Sequence, residues 1–125
     1  VAEFEQIRRA SLRLPGVEEG DHFGGPEFRV GRRTFALWWA KTGRTIMKLD
    51  RAHQELLFEA RADVFAPCRV GTGVWSFVDI EKLDEAEVDA LVVEAWSQVT
   101  PKRVSRPVLA ARAAGRATSL SASTA

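Results

Sequence analysis

One cysteine, Cys68, is all the thiol chemistry that this 125-residue chain offers. It excludes an intrachain disulfide and a cysteine-cluster metal site, and it suits a reducing compartment such as the cytoplasm. Histidine is nearly as scarce. His22 and His53 are the only two, and no HxH, HxxxH or HxxE spacing supplies further ligands, so no metal site is expected. No apolar run approaches the ~18 residues of a membrane span. The acidic, mixed start Val-Ala-Glu-Phe-Glu carries no signal-peptide pattern. Neither GxGxxG nor the GxxxxGK pattern of a phosphate loop occurs, and Ser76 is in no GxSxG elbow. Glu18, Glu19 and Asp21 beside the glycines of residues 16–26 would repel an anion there. Cys68 has no local activating group and reads as a small core residue. The expectation is a non-enzyme without a cofactor.

What the chain does have is enough to bury. Hydrophobic residues make up 46%, including four Trp and seven Phe, and a chain of this length forms one domain without staples. The formal net charge is only +1, but the charge is sorted along the chain. Asp79, Glu81, Asp84, Glu85, Glu87, Asp89 and Glu94 cluster with Lys82 alone among them. Lys102, Arg103, Arg106, Arg112 and Arg116 come next with no acid. Such sorting points to a polar partner or to two solvated faces.

The stretch Glu27 to Asp50 organises the rest. Phe28 and Val30, then Phe35, Leu37 and Trp39, then Ile46, Met47 and Leu49 give three short strands of period-two patterning. Gly31-Arg32 and Lys41-Thr42-Gly43-Arg44 are the turns between them. The adjacent pair Trp38 and Trp39 must face opposite sides of one strand. One of them therefore leaves the main core, to be covered by the tail or the last helix, or else exposed.

Around these strands the pattern predicts helices. Residues 2–14 carry Phe4, Ile7, Ser11 and Leu14 on one face, and Leu14-Pro15-Gly16 ends them. Residues 16–26 read as a glycine-rich loop. Asp50 caps a helix over 51–60 with Ala52, Leu56, Leu57 and Ala60 as its buried stripe, and Phe58 off it. Residues 61–67 read as a connector. A second hairpin comes after it, Cys68–Val70 and Val74–Ile80 around Gly71-Thr72-Gly73, with Trp75 and Phe77 on one face. Asp84-Glu85-Ala86-Glu87 is a capping-box variant between the staple residues Leu83 and Val88. The stripe Val88, Leu91, Val92, Ala95, Trp96, Val99 then predicts a helix over 84–99. Thr100-Pro101 ends it and can start another. Pro107 splits the C-terminal stretch, with helix over 108–114, and a flexible tail is expected from Gly115. The order is α-βββ-α-ββ-α. This is an α+β domain over residues 1–104, with an antiparallel sheet, helices mainly on one face, and a basic, Ala/Ser-rich extension over 105–125.

Several segments together resemble a known family. Leu14-Pro15-Gly16-Val17-Glu18-Glu19, Phe23-Gly24-Gly25-Pro26-Glu27-Phe28-Arg29-Val30, Phe35-Ala36, Met47-Lys48-Leu49, Trp75, and Trp96 with Thr100-Pro101-Lys102-Arg103 are similar to the MmcQ/YjbR-like family over residues 3–104. The resemblance implies a small bacterial cytoplasmic protein with a secretion-chaperone-like α+β fold. It also implies a proposed double-wing DNA-binding surface built from β-hairpin loops, and no agreed catalytic residues. On this chain the wings fall at Gly31-Arg32-Arg33 or Lys41-Thr42-Gly43-Arg44, and at Arg69-Val70-Gly71-Thr72-Gly73, where Arg69 is the only cation.

Two functions are compatible with these residues. The first is weak, non-specific DNA binding, with Arg32, Arg33, Lys41, Arg44, Lys48, Arg69, Lys102 and Arg103 contacting phosphates. The second is a non-catalytic adaptor for a protein or small ligand on the sheet face near Trp38, Trp39 and Lys48. A continuous basic face across the wings favours the first. A concave apolar pocket lined by Trp with Lys48 or Arg44 at its mouth favours the second.

Overall fold

Period-two patterning, capped amphipathic helices and tight turns assemble in the computed structural model into an α+β domain. It describes residues 3–69 and 75–124, with side chains to residue 115. The expected hairpin tip Gly71-Thr72-Gly73, with Val70 and Val74, lies outside the described residues. The elements are α1 (Phe4–Leu12), β1 (Val17–His22), β2 (Gly25–Val30), β3 (Arg33–Trp39), β4 (Arg44–Lys48), α2 (Arg51–Ala60), β5 (Phe65–Cys68), β6 (Trp75–Val78), a 3-10 turn (Ile80–Lys82), α3 (Glu85–Gln98) and α4 (Lys102–Thr124). The six strands form one antiparallel sheet in the order β1-β2-β3-β4-β6-β5. Helices pack on one face of it, as the patterning predicts.

The stretch expected to be a glycine-rich loop is instead β1, the edge strand that pairs along the whole of β2 from Val17↔Val30 to His22↔Gly25. Its run of Glu18, Glu19, Gly20 and Asp21 lacks the apolar alternation that marks a half-buried strand. Pairing along β2 supplies what its side chains do not. Phe23 and Gly24 form the two-residue turn, both at positive φ (47° and 87°). Gly25 is fixed for another reason. A Cβ there would lie 2.2 Å from the carbonyl oxygen of Trp38, so only glycine lets β2 pass so close.

The alternation in β3 is broken once. Phe28 pairs with Ala36, but the next residue, Arg29, pairs with Thr34. Phe35 is the extra residue of this bulge. Phe35 and Ala36 therefore both join the helix-side core, while Leu37 belongs to a separate cluster.

The main core lies between sheet and helices. Phe28, Phe35, Met47, Leu49, Val88, Val92 and Trp96 are each no more than 1% exposed. α3 follows its expected register closely. The Asp84 carboxylate accepts a hydrogen bond from the Glu87 backbone N–H at 2.8 Å, and the whole expected stripe is buried. Glu87 turns away from the cap and accepts from Arg61 Nη1 at 2.5 Å. Trp96 Nε1 donates to the Pro15 carbonyl at 3.0 Å, tying α3 to the end of α1.

α2 is capped by Asp50, whose side chain accepts from the His53 backbone N–H, but its buried face is not the expected stripe. Leu56 is 65% exposed and Gln54 only 3%; Ala52 and Ala60 are exposed as well. Gln54 Nε2 donates to Ser76 Oγ in β6 at 2.7 Å, and Leu57 and Phe58 pack on the core. A ring and a buried hydrogen bond fix this rotation more strongly than two alanines and a leucine would fix the other.

The expected connector over 61–67 runs into β5, so the second hairpin's first strand begins at Phe65 rather than Cys68, and α4 runs on through Pro107 to Thr124. Proline at that point leaves only the Arg103 carbonyl without its helical donor, and the Ala-, Leu- and Arg-rich sequence around it favours helix. The segment expected to be a flexible tail from Gly115 is thus part of the same helix. The boundary expected after residue 104 falls inside α4. Ser105 is 3% exposed, and Val104 and Val108 pack against the core.

Candidate ligand-binding face

The sheet has a second apolar face, away from the helices, and the bulge at Phe35 sets which residues reach it. Cross-strand register aligns Leu37, Ile46, Phe77 and Ala66 in one row, and Lys48, Trp75 and Cys68 in the next. Leu37, Ile46 and Cys68 are buried there, and Trp39, Trp75 and Phe77 pack around them half-buried. Trp39 and Phe77 lie nearly parallel, 6.2 Å between centroids and 7° between planes. A cavity of about 350 Å³ opens on this face. Trp39, Trp75, Leu37, Ile46 and Cys68 form its sheet side, and His22 and Phe23 reach it from the β1–β2 hairpin.

Trp38 takes the opposite side. Its ring meets Phe4 of α1 edge-on at 5.5 Å, so α1 covers it rather than the tail or the last helix. Neither tryptophan is fully buried. Trp38, Phe4 and Thr45 also line a larger cleft of about 650 Å³ on the helix side.

Cations stand on the aromatic face. The Arg44 guanidinium carbon lies 3.6 Å from the centre of the Phe77 ring, and Lys48 Nζ lies 5.9 Å from that of Trp75. Both are cation–π placements. Burial holds the Lys48 ammonium below the ordinary lysine pKa, and the charge of Arg33 adds to this. Among the described residues the one buried acid, Glu27, is occupied: it accepts from Thr34 Oγ1 at 3.0 Å and from Arg29 Nη1 at 3.3 Å, with His22 Nδ1 at 3.6 Å. Burial raises the Cys68 thiol pKa against the opposing effect of Arg44, which keeps it a thiol rather than a nucleophilic thiolate. His53 holds α2 to α3 through Glu94 Oε1 at 2.6 Å.

The structure divides the eight expected phosphate contacts between the two ends of the sheet. Arg32 lies in the β2–β3 turn, Arg33 begins β3, Lys48 ends β4 and Arg69 follows β5, and register brings these to one end. Lys41 and Arg44 lie at the other end of the β3–β4 pair. Lys102 and Arg103 open α4 just beyond α3, whose last turns reach Pro15 near the first end. Among the described residues, none of the eight has an acidic side chain within ion-pair distance. No group of three His, Cys, Asp or Glu among the described residues is placed to hold a metal ion.

Sequence reasoning picked out Trp38, Trp39 and Lys48 for this face, with Lys48 or Arg44 at a pocket mouth; Trp38 lies instead on the helix side against Phe4, and Phe23, His22 and the floor residues Leu37, Ile46 and Cys68 were passed over. The overlooked signal was Phe-Gly at the centre of a two-residue hairpin, which is visible only once 16–26 is known to contain a strand.

The YjbR family model matches residues 12–98, and the chain belongs to that family. The crystal structure of the Deinococcus radiodurans protein DR2400, with a DUF419 domain, has the same fold. It superposes with a TM-score of 0.68 over 79% of each chain at 23% sequence identity. No curated protein matches. Among the described residues no helix is long and apolar enough to cross a membrane.

Proposed function

We propose that the protein is a non-catalytic binding module whose open sheet face takes a small ligand with a planar apolar part and an anionic group. The observation that carries this reading is the cavity between Trp39 and Trp75 with Arg44 and Lys48 beside it. Ligand sites are typically concave and apolar with a few convergent polar groups, and this face has that composition. A planar group fits against the indoles, and an anion answers cations that no acid neutralises. Burial raises the pKa of the lone thiol, which disfavours a thiolate nucleophile on this face. A reducing setting such as the cytoplasm accords with the single buried cysteine.

Anilinonaphthalene sulfonate, a planar aryl anion that fluoresces in apolar surroundings, tests the reading. The native protein binds it, and Trp75→Ala or Trp39→Ala reduces its affinity at least about tenfold, the scale of a lost large aromatic contact. Binding unchanged in both variants would place the probe elsewhere and reject the face as the site.

A second reading is favoured by one observation, the gathering of Arg32, Arg33, Lys48 and Arg69 at one end of the sheet. In this reading the hairpin end contacts duplex DNA phosphates weakly and without sequence preference. Four such contacts give a slope of log K against log salt near about −3.6. Arg32→Ala with Arg33→Ala flattens that slope by up to about two units for every duplex sequence. No binding in low salt removes this reading.

A further inference from the structure

The β1–β2 hairpin carries a residue that does not suit its turn. Phe23 and Gly24 both have positive φ, 47° and 87°. Two-residue hairpins with both central residues in this region select Asn-Gly or Asp-Gly, because a larger side chain is strained at the first position. Among the described residues Phe23 is the only one other than glycine with positive φ. Its ring is not repaid by burial, since the residue is 86% exposed. Among the described residues its one ring contact is an edge-on approach to His22, 4.8 Å between centroids. Yet the same ring lines the open-face cavity. A strained, solvent-exposed aromatic at a cavity wall is accounted for by what it touches when the cavity is filled.

We propose that Phe23 is a ligand-contacting residue: from the hairpin tip, its ring covers the planar apolar part of an aryl anion seated on Trp39 and Trp75. The proposal rests on the reading of the open face as a binding site. The chemical class follows from the walls and the charges. Three aromatic rings offer stacking surface, and Lys48, close enough to Arg33 to feel its charge, answers an anion without an acid of its own. On this account the turn keeps a residue that weakens the hairpin because that residue is needed in the complex.

Two measurements on the same variants test it. Phe23→Asn should bind anilinonaphthalene sulfonate about three- to tenfold more weakly, as expected for one aromatic contact, while its urea midpoint rises because asparagine suits the turn. Phe23→Tyr, which keeps the ring, retains the affinity that Phe23→Asn loses. If the probe binds, Trp75→Ala abolishes binding, and Phe23→Asn leaves affinity unchanged, the face stands as a site and the role of Phe23 falls. A lower urea midpoint for Phe23→Asn would also overturn the proposal, by showing that the ring holds the fold. No binding by the native protein removes the site and Phe23's role together.

Discussion

Replacing Lys48 by methionine separates the stability of the sheet from its capacity to bind. The ammonium is half-buried at the end of β4, with Arg33 near it and no acidic partner among the described residues. Methionine keeps an unbranched apolar stem of similar reach and removes only the charge. Two effects on stability oppose each other. The cation–π contact with Trp75 is lost, worth about 0.5–1 kcal/mol at an exposed site and less at this 5.9 Å separation. The desolvation of the charge and its repulsion by Arg33 are relieved. The sign follows from linkage. A lysine pKa lowered by folding means that the unfolded chain binds more protons between the folded and unfolded values, so native stability rises with pH across that window. The penalty is present in full below the folded pKa and is gone above the ordinary lysine value. Lys48→Met should therefore be at least as stable as the native protein at neutral pH, and its advantage should shrink as pH rises through the alkaline window. Anion affinity should move the other way. A charge-assisted contact is worth about 1.5–3 kcal/mol; at this half-exposed position the lower end applies, so affinity for an aryl sulfonate should fall about tenfold. In the native protein that affinity declines at alkaline pH as Lys48 loses its proton, earlier than an unperturbed lysine would, and the decline is absent from Lys48→Met. Fluorescence titrations and urea melts across neutral to alkaline pH read both quantities. An unchanged affinity, or an alkaline decline that persists in Lys48→Met, would refute the assignment of Lys48 to the anion.

Three further outcomes are expected. Trp96→Ala should cost about 3–5 kcal/mol, the range for deleting a large buried side chain, because Trp96 is fully enclosed; an unchanged melting temperature would reject its place at the centre of the core. Asp84→Ala should cost about 0.5–2 kcal/mol through loss of the α3 cap, visible as a lower urea midpoint. Removing residues 105–125 should lower stability by roughly 1–2 kcal/mol, since Ser105 and Val108 pack at the α3–α4 contact; a truncated protein as stable as the full chain would show that the packing of α4 past Val104 contributes nothing.

How far the fold could be read from the residues depended on where each residue's role was set. Residues 84–99 carry their own start signal and their own stripe, and α3 forms where both place it. α2 carries an equally good cap at Asp50, yet its rotation is decided by Ser76, a residue on another strand. No periodicity within 51–60 can register that. β1 is the extreme case: its pairing is specified by β2, and its acidic side chains are neutral on the question.

The candidate site was legible to the same degree and for the same reason. Trp39, Arg44 and Lys48 belong to strands whose alternation is local, so their nearness to one sheet face could be foreseen. Which face was a longer-range matter. Strict alternation would put Phe35 with Leu37 and Trp39, and Ala36 with Trp38, so that a large ring would leave the main core for the outer side. The bulge between β2 and β3 moves Phe35 inward beside Ala36. Leu37 and Trp39 then stand on the outer face without Phe35, and the strained turn at Phe23 brings a ring to the rim of the cavity there from the neighbouring hairpin. Deleting the slip would move Phe35 and the β3 residues before it to the other face and leave Leu37 and Trp39, which follow it, where they are. The helix-side core would then lose a ring that is now fully buried, so the bulge is a requirement of the core.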